Sequence, residues 1–402
     1  MILVLFFGSD FMYKVCLKNK ISSVGKKILS DRYEIVPEVS EADAIVVRSE
    51  KISNIDRKLL AIARAGAGVN NINIKACSES GVVVFNTPGC NANAVKELTL
   101  CGMFLAARNI IKGVKWLVEE GNALSKVEQY KKNFVGTELC GKEILVIGLG
   151  EIGTRVANSC VNLGMQVYGF DPFLDVQNAL NLDRKVKVVD DYDRVSMQSD
   201  YITIHVPFNE STKKMLNKKF FDCLKSEVVI LNFARGEVID VDALCETMAR
   251  NRNMKYVTDF ADERLLHLDS VISLPHLGAS TAEAQDNCAQ MAAENLMDYL
   301  DNGNIKSSVN FPNCFLKERS GRSRITIACK NMPNVLGKIA SIFGVEGVNI
   351  CNMVSKSKGK VAYAIFDLHD EVDHSALENL CQIDGVIKVR LIVKKGEHSV
   401  AY

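Results

Sequence analysis

The chain has 402 residues, 48% hydrophobic and 24% charged, enough for two or three domains that each bury a core. Its 49 Lys and Arg nearly cancel its 48 Asp and Glu, so no overall field invites nucleic acid or an anionic membrane surface. The 13 cysteines include no C-x-x-C pair and no Cys/His ligand spacing, which argues against a secreted disulfide framework and predicts reduced thiols in a cytoplasmic protein without a metal site.

The opening MILVLFFG has an apolar run of only seven residues, with no basic flank and no small-residue cleavage site. It predicts a short strand or an N-terminal extension, with Met12 as an alternative start, rather than a signal peptide or a membrane span. Short apolar runs and helical patterns then alternate: strand KVCLKN, a helix near 22–30, strands EIVPE and AIVVRS, a helix near 55–63, and strand VVVFN. These form a small α/β unit of their own. From Asn93 to Glu120 apolar residues recur at helical spacing (Val95, Leu98, Met103, Leu105, Ile110, Val114, Leu117), which predicts one long helix that links domains or packs on another subunit.

Residues 143–171 carry the most specific signal. Residues 143–147 read as a buried strand, Gly148, Gly150 and Gly153 make a G-x-G-x-x-G turn, and a helix runs from about 152 to 163. A second strand, QVYGF, ends in Asp171, 18 residues past the last glycine. The motif alone is weak evidence, but strand, turn, helix and acid occur together here. Glycines let the backbone approach a pyrophosphate, and the helix start offers it free N–H groups and partial positive charge. Asp171 would accept hydrogen bonds from a ribose diol and repel a 2′-phosphate, which points to NAD rather than NADP.

Three polar residues follow short apolar strands further on: Arg235 in VVILNFARGEVID, Glu263 in YVTDFADERLL and His276 in VISLPHLGAST. Hydride removal from a secondary alcohol needs a group to take the hydroxyl proton, a carboxylate to orient that group, and a cation to bind a substrate carboxylate. His276, Glu263 and Arg235 match those roles, and Asp259 at a strand end could bond a nicotinamide amide. Each also has a structural alternative, since a His after a strand or an Arg before a helix is commonly a packing or surface residue.

A second helical stretch, TAEAQDNCAQMAAENLMDYLDNG, follows Pro275, and 306–323 reads as polar linker. From Arg324 the order β-α-β-β-α-β restarts in a module of about 70 residues, a ferredoxin-like arrangement. The simplest organisation is a nucleotide domain inserted into a discontinuous partner, with cofactor and substrate meeting in a cleft between them.

The strings ARAGAGVNNI, FNTPGCNANAV, GLGEIG, HVPFNEST, NFARGE and PHLGAST resemble, in order and spacing, the D-isomer-specific 2-hydroxyacid dehydrogenases over residues 13–310. DYITIHVP and NGNIKSSVNFPN narrow the likeness to short members that carry a C-terminal ACT domain. The resemblance implies an α/β protein with a Rossmann-type NAD domain inserted in a flavodoxin-like substrate domain, plus a C-terminal ferredoxin-like (ACT) α+β domain. Its boundaries are 1–92 for the first part of the substrate domain, 93–274 for the NAD domain, 275–310 for the return helix, 311–323 for the linker and 324–396 for the ACT domain. It implies the catalytic set Arg235, Glu263 and His276, with NAD held by Gly148, Gly150, Glu151, Ile152, Gly153, Asp171, His205, Val206, Pro207, Thr212, Ala234, Asp259 and Gly278. Backbone N–H groups of Ala67, Gly68 and Val69 would bind the substrate carboxylate, with Arg48 and Arg64 facing a phosphorylated 2-hydroxy acid.

The family usually has its Glu before a Pro, 29 residues past the Arg; here that position is Arg264, and Glu263 sits one residue earlier. Glu263 is expected to serve. Asn331 and Asn349 match positions that contact an L-serine effector across a two-fold interface, and Asn334 replaces the usual Gly of the first ACT loop. Asn tolerates the left-handed backbone that the Gly would adopt. The implied activity is NAD-dependent oxidation of D-3-phosphoglycerate to 3-phosphohydroxypyruvate, the entry to L-serine synthesis, in a homodimer or homotetramer. The alternatives are a hydroxypyruvate or glyoxylate reductase, and a non-catalytic NAD-sensing protein.

Overall fold

The computed structural model describes residues 2–4, 12–120 and 123–392 and divides into two compact units. One comprises Met1–Cys90 with Gln285–Tyr402, the other Asn91–Ala284.

In the first unit a parallel sheet runs in the order Glu34–Val36, Lys14–Lys18, Ala44–Val47, Ala61–Arg64, Val83–Phe85. In chain order that is 2-1-3-4-5, the flavodoxin-like sequence of strands. The central strand Ala44–Val47 is apolar and buried throughout, and Ala61–Arg64 is so up to its final arginine, because both sheet faces are covered. One face shares a core with Leu29 and with Ala292, Leu296 and Leu300 of the helix Ala282–Asn302; the other packs on Cys77 of the helix Ile74–Glu79.

The helix expected near 55–63 is instead a turn followed by the strand Ala61–Arg64. Its run of small and aliphatic residues is too short for periodicity to separate strand from helix, and pairing with Ala44–Val47 and Val83–Phe85 decides the outcome.

The same unit holds a second sheet, in the order Ile2–Val4, Val386–Ile392, Ser323–Lys330, Val361–Leu368, Ile350–Lys358. The last four strands are antiparallel neighbours, and with the helices Val335–Val345 and His374–Gln382 they form the ferredoxin-like module. Residues 2–4 make the strand expected of the opening run, parallel to Val386–Ile392. The helices cover one sheet face through Val335, Ile339, Phe343, Leu377 and Leu380. The other face sends Ala328, Tyr363 and Ile365 into the core shared with Phe85, Tyr299 and Phe311.

Polar groups are buried at that junction too. Lys388 Nζ donates to the Leu59 carbonyl (2.6 Å), and Arg390 stacks on the Tyr299 ring (4.6 Å) while donating to the Leu300 carbonyl (3.1 Å). Arg324 and Asp367 form a buried bidentate pair (2.6 and 2.9 Å).

The second unit is one sheet of seven parallel strands: Val271–Ser273, Lys255–Thr258, Val229–Asn232, Tyr201–Ile204, Glu143–Ile147, Gln166–Phe170, Lys187–Val188. This is the Rossmann order extended by one strand. The single helix expected over 93–120 is two, Ala92–Arg108 and Ile110–Glu119, broken at Asn109 with φ 50°. The passing chain causes the break: Thr137 N–H takes the Ala107 carbonyl (2.9 Å), and the Asn109 side chain bonds the Val135 carbonyl (3.0 Å). Asn is among the few residues that accept the left-handed turn this requires.

No helix among the described residues is long and apolar enough to cross a membrane. The expectation of thirteen reduced thiols needs a correction: Cys90 and Cys288 are disulfide-bonded, and eleven cysteines are free. Partners 198 residues apart have no local sequence signal.

Candidate active site

In the second unit the glycine turn leaves the strand Glu143–Ile147 and opens the helix Glu151–Asn162. Each glycine has a different neighbour. A Cβ on Gly148 (φ +93°) would sit 2.7 Å from the His205 carbonyl oxygen, and one on Gly153 would sit 1.8 Å from the Gly148 oxygen. A Cβ on Gly150 would meet nothing within 4 Å. Two glycines therefore serve strand and helix packing, and the middle one keeps a space clear at the helix start. That helix has no side-chain cap, so its first N–H groups are available to an anion. Glu151 is spent on an i,i+4 pair with Arg155, and Ile152 packs into the core.

Asp171 follows the next strand. Its two carboxylate oxygens accept from Leu149 N–H and Phe173 N–H, both at 2.9 Å, which clamps the acid to the glycine turn with lone pairs to spare. His205 follows Tyr201–Ile204; its Nε2 lies 2.9 Å from Thr203 Oγ1, its Nδ1 is buried without a partner, and burial lowers its pKa to about 3, so the ring is neutral. Val206 packs against the core, and Thr212 Oγ1 donates to the Pro207 carbonyl (2.6 Å), closing the loop.

Arg235, Asp259 and His276 leave the carboxyl ends of three adjacent strands, Val229–Asn232, Lys255–Thr258 and Val271–Ser273. Asp259 is 2% exposed. One of its oxygens accepts from Gly278 N–H (2.8 Å), and the other, Oδ1, is buried with no partner. Burial raises its pKa, partly offset by that bond and by the charges of His276 and Arg235. A Cβ on Gly278 would press on Asp259 Oδ2 at 3.1 Å.

His276 is exposed, has φ +50°, donates its N–H to the Asp259 carbonyl (3.0 Å), and sets its ring 4.9 Å from that of Phe260. Arg235 is half-buried and donates from Nη1 to the Ala234 carbonyl (2.6 Å).

Sequence reasoning passed over Asn232. It is fully buried, donates to the Arg235 carbonyl (2.8 Å), accepts from Ala234 N–H (3.1 Å), and its own carbonyl takes the Thr258 hydroxyl (2.9 Å). A polar residue closing an otherwise apolar strand was the available signal. Glu263 is exposed, and no hydrogen bond or ion pair joins it to His276 among the described residues. Its loop is pinned instead by Arg264, which pairs with Asp262 (2.8 and 2.6 Å) and with Asp242.

In the first unit Arg48 directly follows the strand Ala44–Val47, Arg64 ends the neighbouring parallel strand, and Arg64 Nε donates to the Arg48 carbonyl (3.0 Å). The loop Ala67, Gly68, Val69 follows, held by Asn86 Nδ2 on the Ala67 carbonyl (2.7 Å). In the ferredoxin-like module Asn331 is exposed and donates to the Gly359 carbonyl (3.0 Å), and the Asn349 carbonyl takes His369 N–H (2.9 Å).

Residues 100–278 match the family model "D-isomer specific 2-hydroxyacid dehydrogenase, NAD binding domain". The chain is 32% identical over 381 residues, 90% of each chain, to the D-3-phosphoglycerate dehydrogenase of Escherichia coli (strain K12). The chain belongs to the D-isomer specific 2-hydroxyacid dehydrogenase family. It is also 35% identical over 291 residues to the D-3-phosphoglycerate dehydrogenase of Methanocaldococcus jannaschii, covering 70% of this chain and 54% of that one. Among solved structures it is similar to the NAD⁺-bound 3-phosphoglycerate dehydrogenase of Entamoeba histolytica, with TM-score 0.60, 26% identity, and coverage of 75% of this chain and 99% of that one.

The residues of this family member fit its dinucleotide on three independent counts. The cleared space at Gly150 suits a pyrophosphate, the Asp171 carboxylate suits a ribose diol, and the orphaned Asp259 Oδ1 suits an amide N–H donor.

Proposed function

We propose that this dehydrogenase oxidises D-3-phosphoglycerate to 3-phosphohydroxypyruvate with NAD, the first step of L-serine synthesis. The observation that carries the reading is identity of 32% across 90% of both chains to an enzyme of that name. The site chemistry agrees with it. His276 takes the proton from the substrate hydroxyl oxygen, and Arg235 binds the substrate carboxylate with its planar fork and polarises the reacting oxygen. Glu263 pairs with the imidazole when substrate is bound, and catalytic hydrogen bonds of this kind commonly tighten only then. NAD, when bound, supplies the hydride acceptor, and Asp171 and Asp259 hold its two ends. Ala67, Gly68 and Val69 offer backbone N–H groups to the carboxylate, and Arg48 and Arg64 receive the phosphate as cations.

As further parts of the same proposal, the C-terminal module binds L-serine through Asn331 and Asn349, and the enzyme works as a cytoplasmic homodimer or homotetramer.

The test follows NADH absorbance with 3-phosphohydroxypyruvate, hydroxypyruvate, glyoxylate and 2-oxoglutarate, each with and without L-serine. Preference for the phosphorylated acid and inhibition by serine are the expected results. Faster turnover of an unphosphorylated acid would move the chain to a reductase of the same family, and NADH binding without turnover would make it a sensor.

A further inference from the structure

The second unit has a cavity of about 360 Å³ built from parts that the dinucleotide site does not use. It lies where the helices Ala92–Arg108 and Ile110–Glu119 meet the connection between the strands Lys255–Thr258 and Val271–Ser273. Lys255 and Val271, the first residues of those strands, line it, so it opens at the amino edge of the sheet. Asp259 and His276 leave the carboxyl edge of the same strands, roughly 13 Å away at about 3.3 Å per residue.

Charge is unevenly distributed in the lining. Lys112, Lys115 and Lys255 contribute three ammonium groups and His267 an imidazole, against one carboxylate, Asp269. Among the described residues neither Lys112 nor Lys115 has an ion-pair partner. Lys255 Nζ spends two of its three donors on neutral oxygens, the Ala106 carbonyl (2.6 Å) and Asn109 Oδ1 (3.3 Å). Burial, and after it the charge of Lys112, pulls the Lys255 ammonium below its ordinary value, so like charges oppose one another here. The left-handed Asn109 starts the helix Ile110–Glu119 without a side-chain cap, and the first turn of that helix, with its partial positive charge, lines the cavity too. Cations gathered without a counter-charge cost energy that a bound anion recovers. The rest of the lining is apolar, and its Ile111, Leu266 and Leu268 are exposed.

We infer that this cavity binds a small organic dianion, a dicarboxylate or a phosphate monoester on a short carbon chain. The lysines take the anionic groups, and Ile111, Leu266 and Leu268 cover the carbon chain. An ammonium is a point charge that accepts carboxylate and phosphate alike, and the volume suits a small ligand. None of the residues assigned to NAD, substrate or L-serine lines the cavity, so the inference goes beyond the substrate assignment and is tested without turnover.

The chain's single tryptophan, Trp116, follows Lys115 on the lining helix and stacks on Tyr130 at 5.4 Å, so its fluorescence reports on that helix. Full-length protein is titrated with glutarate, glycerol 3-phosphate and the neutral glutaramide at fixed ionic strength. Equilibrium dialysis with radiolabelled glutarate and glycerol 3-phosphate counts the sites independently of fluorescence. The expected result is saturable binding of at least one dianion with Kd on the order of 1 mM, and glutaramide at least about tenfold weaker. The tighter of the two dianions names the head group. The double variant Lys112→Gln with Lys115→Gln, both exposed positions, should lose one bound equivalent, whereas Arg48→Gln in the first unit should keep it. Equal binding by the double variant, glutaramide as tight as glutarate, or no retained dianion in dialysis would each overturn the inference. So would dianion binding that disappears as protein concentration rises, which would give the cavity to a second copy of the chain.

Discussion

Asp259 carries an uncommon load for one side chain: it is almost fully buried, accepts the Gly278 N–H, and stands electrostatically between Arg235 and His276. Its backbone carbonyl also receives the His276 N–H, so the imidazole is tied to the end of the neighbouring strand and not to a free loop. Replacing His276 by Ala should lower kcat by about 10²–10⁴, the range of a general acid–base, while NADH titration stays within about twofold. Arg235→Lys should lower kcat/KM by about 10², because an ammonium is a point charge and cannot reproduce the planar fork. Wild-type kinetics in Arg235→Lys would remove the carboxylate clamp from the mechanism. Glu263→Gln should shift the basic limb of the pH–rate profile, and an unmoved profile would assign the carboxylate role to another residue. Arg235 and His276 were legible because each is polar chemistry directly after an apolar strand. Asn232 was not, since its importance rests on bonds to Arg235, Ala234 and Thr258 that exist only once three strands are adjacent.

The strand–turn–helix at 143–162 separates binding from folding within a single element. Gly150 has φ −72°, a value any residue adopts, and open space beside it, so Gly150→Ala should leave the thermal midpoint within about 2 °C while weakening NADH binding at least tenfold. Gly153→Ala would drive a methyl into the Gly148 carbonyl and should destabilise the second unit by about 1–3 kcal/mol, read by urea unfolding. Equal effects of the two substitutions would contradict the division of roles. This element was readable from sequence because its determinants are local. So was the left-handed Asn334, observed at φ 64°, where a small side chain replaces the expected glycine at little cost. The run at 61–64 and the break at Asn109 were not readable, because a neighbouring strand decides the first and the crossing chain at Val135–Thr137 decides the second.

Across the first unit, two sheets share a core that contains an amine. Burial, reinforced by the Arg390 charge, pushes Lys388 down to about 7 from an ordinary 10.5, so it sits largely neutral above neutrality while donating to the Leu59 carbonyl. A base whose folded pKa is depressed binds fewer protons folded than unfolded between the two values, so stability rises as pH climbs from about 7 toward 10.5 and is flat below that window. The unfolding free energy of wild type relative to Lys388→Met should therefore rise by about 1.4 kcal/mol per pH unit across that window, read from urea midpoints at pH 6, 7, 8 and 9. Parallel pH profiles of the two proteins would show that Lys388 is not neutralised by folding. Sequence by itself determined the nucleotide fingerprint, the strand-end positions of Arg235 and His276, and the order of elements in the terminal module, because those depend on spacing along a few dozen residues. Only the tertiary structure decided that Lys388 and Arg390 would be buried at a junction of two sheets, that Asn232 would hold the Arg235 loop, and that Cys90 would meet Cys288. Each of these depends on groups far apart in the chain whose desolvation and pairing are settled only when the sheets assemble.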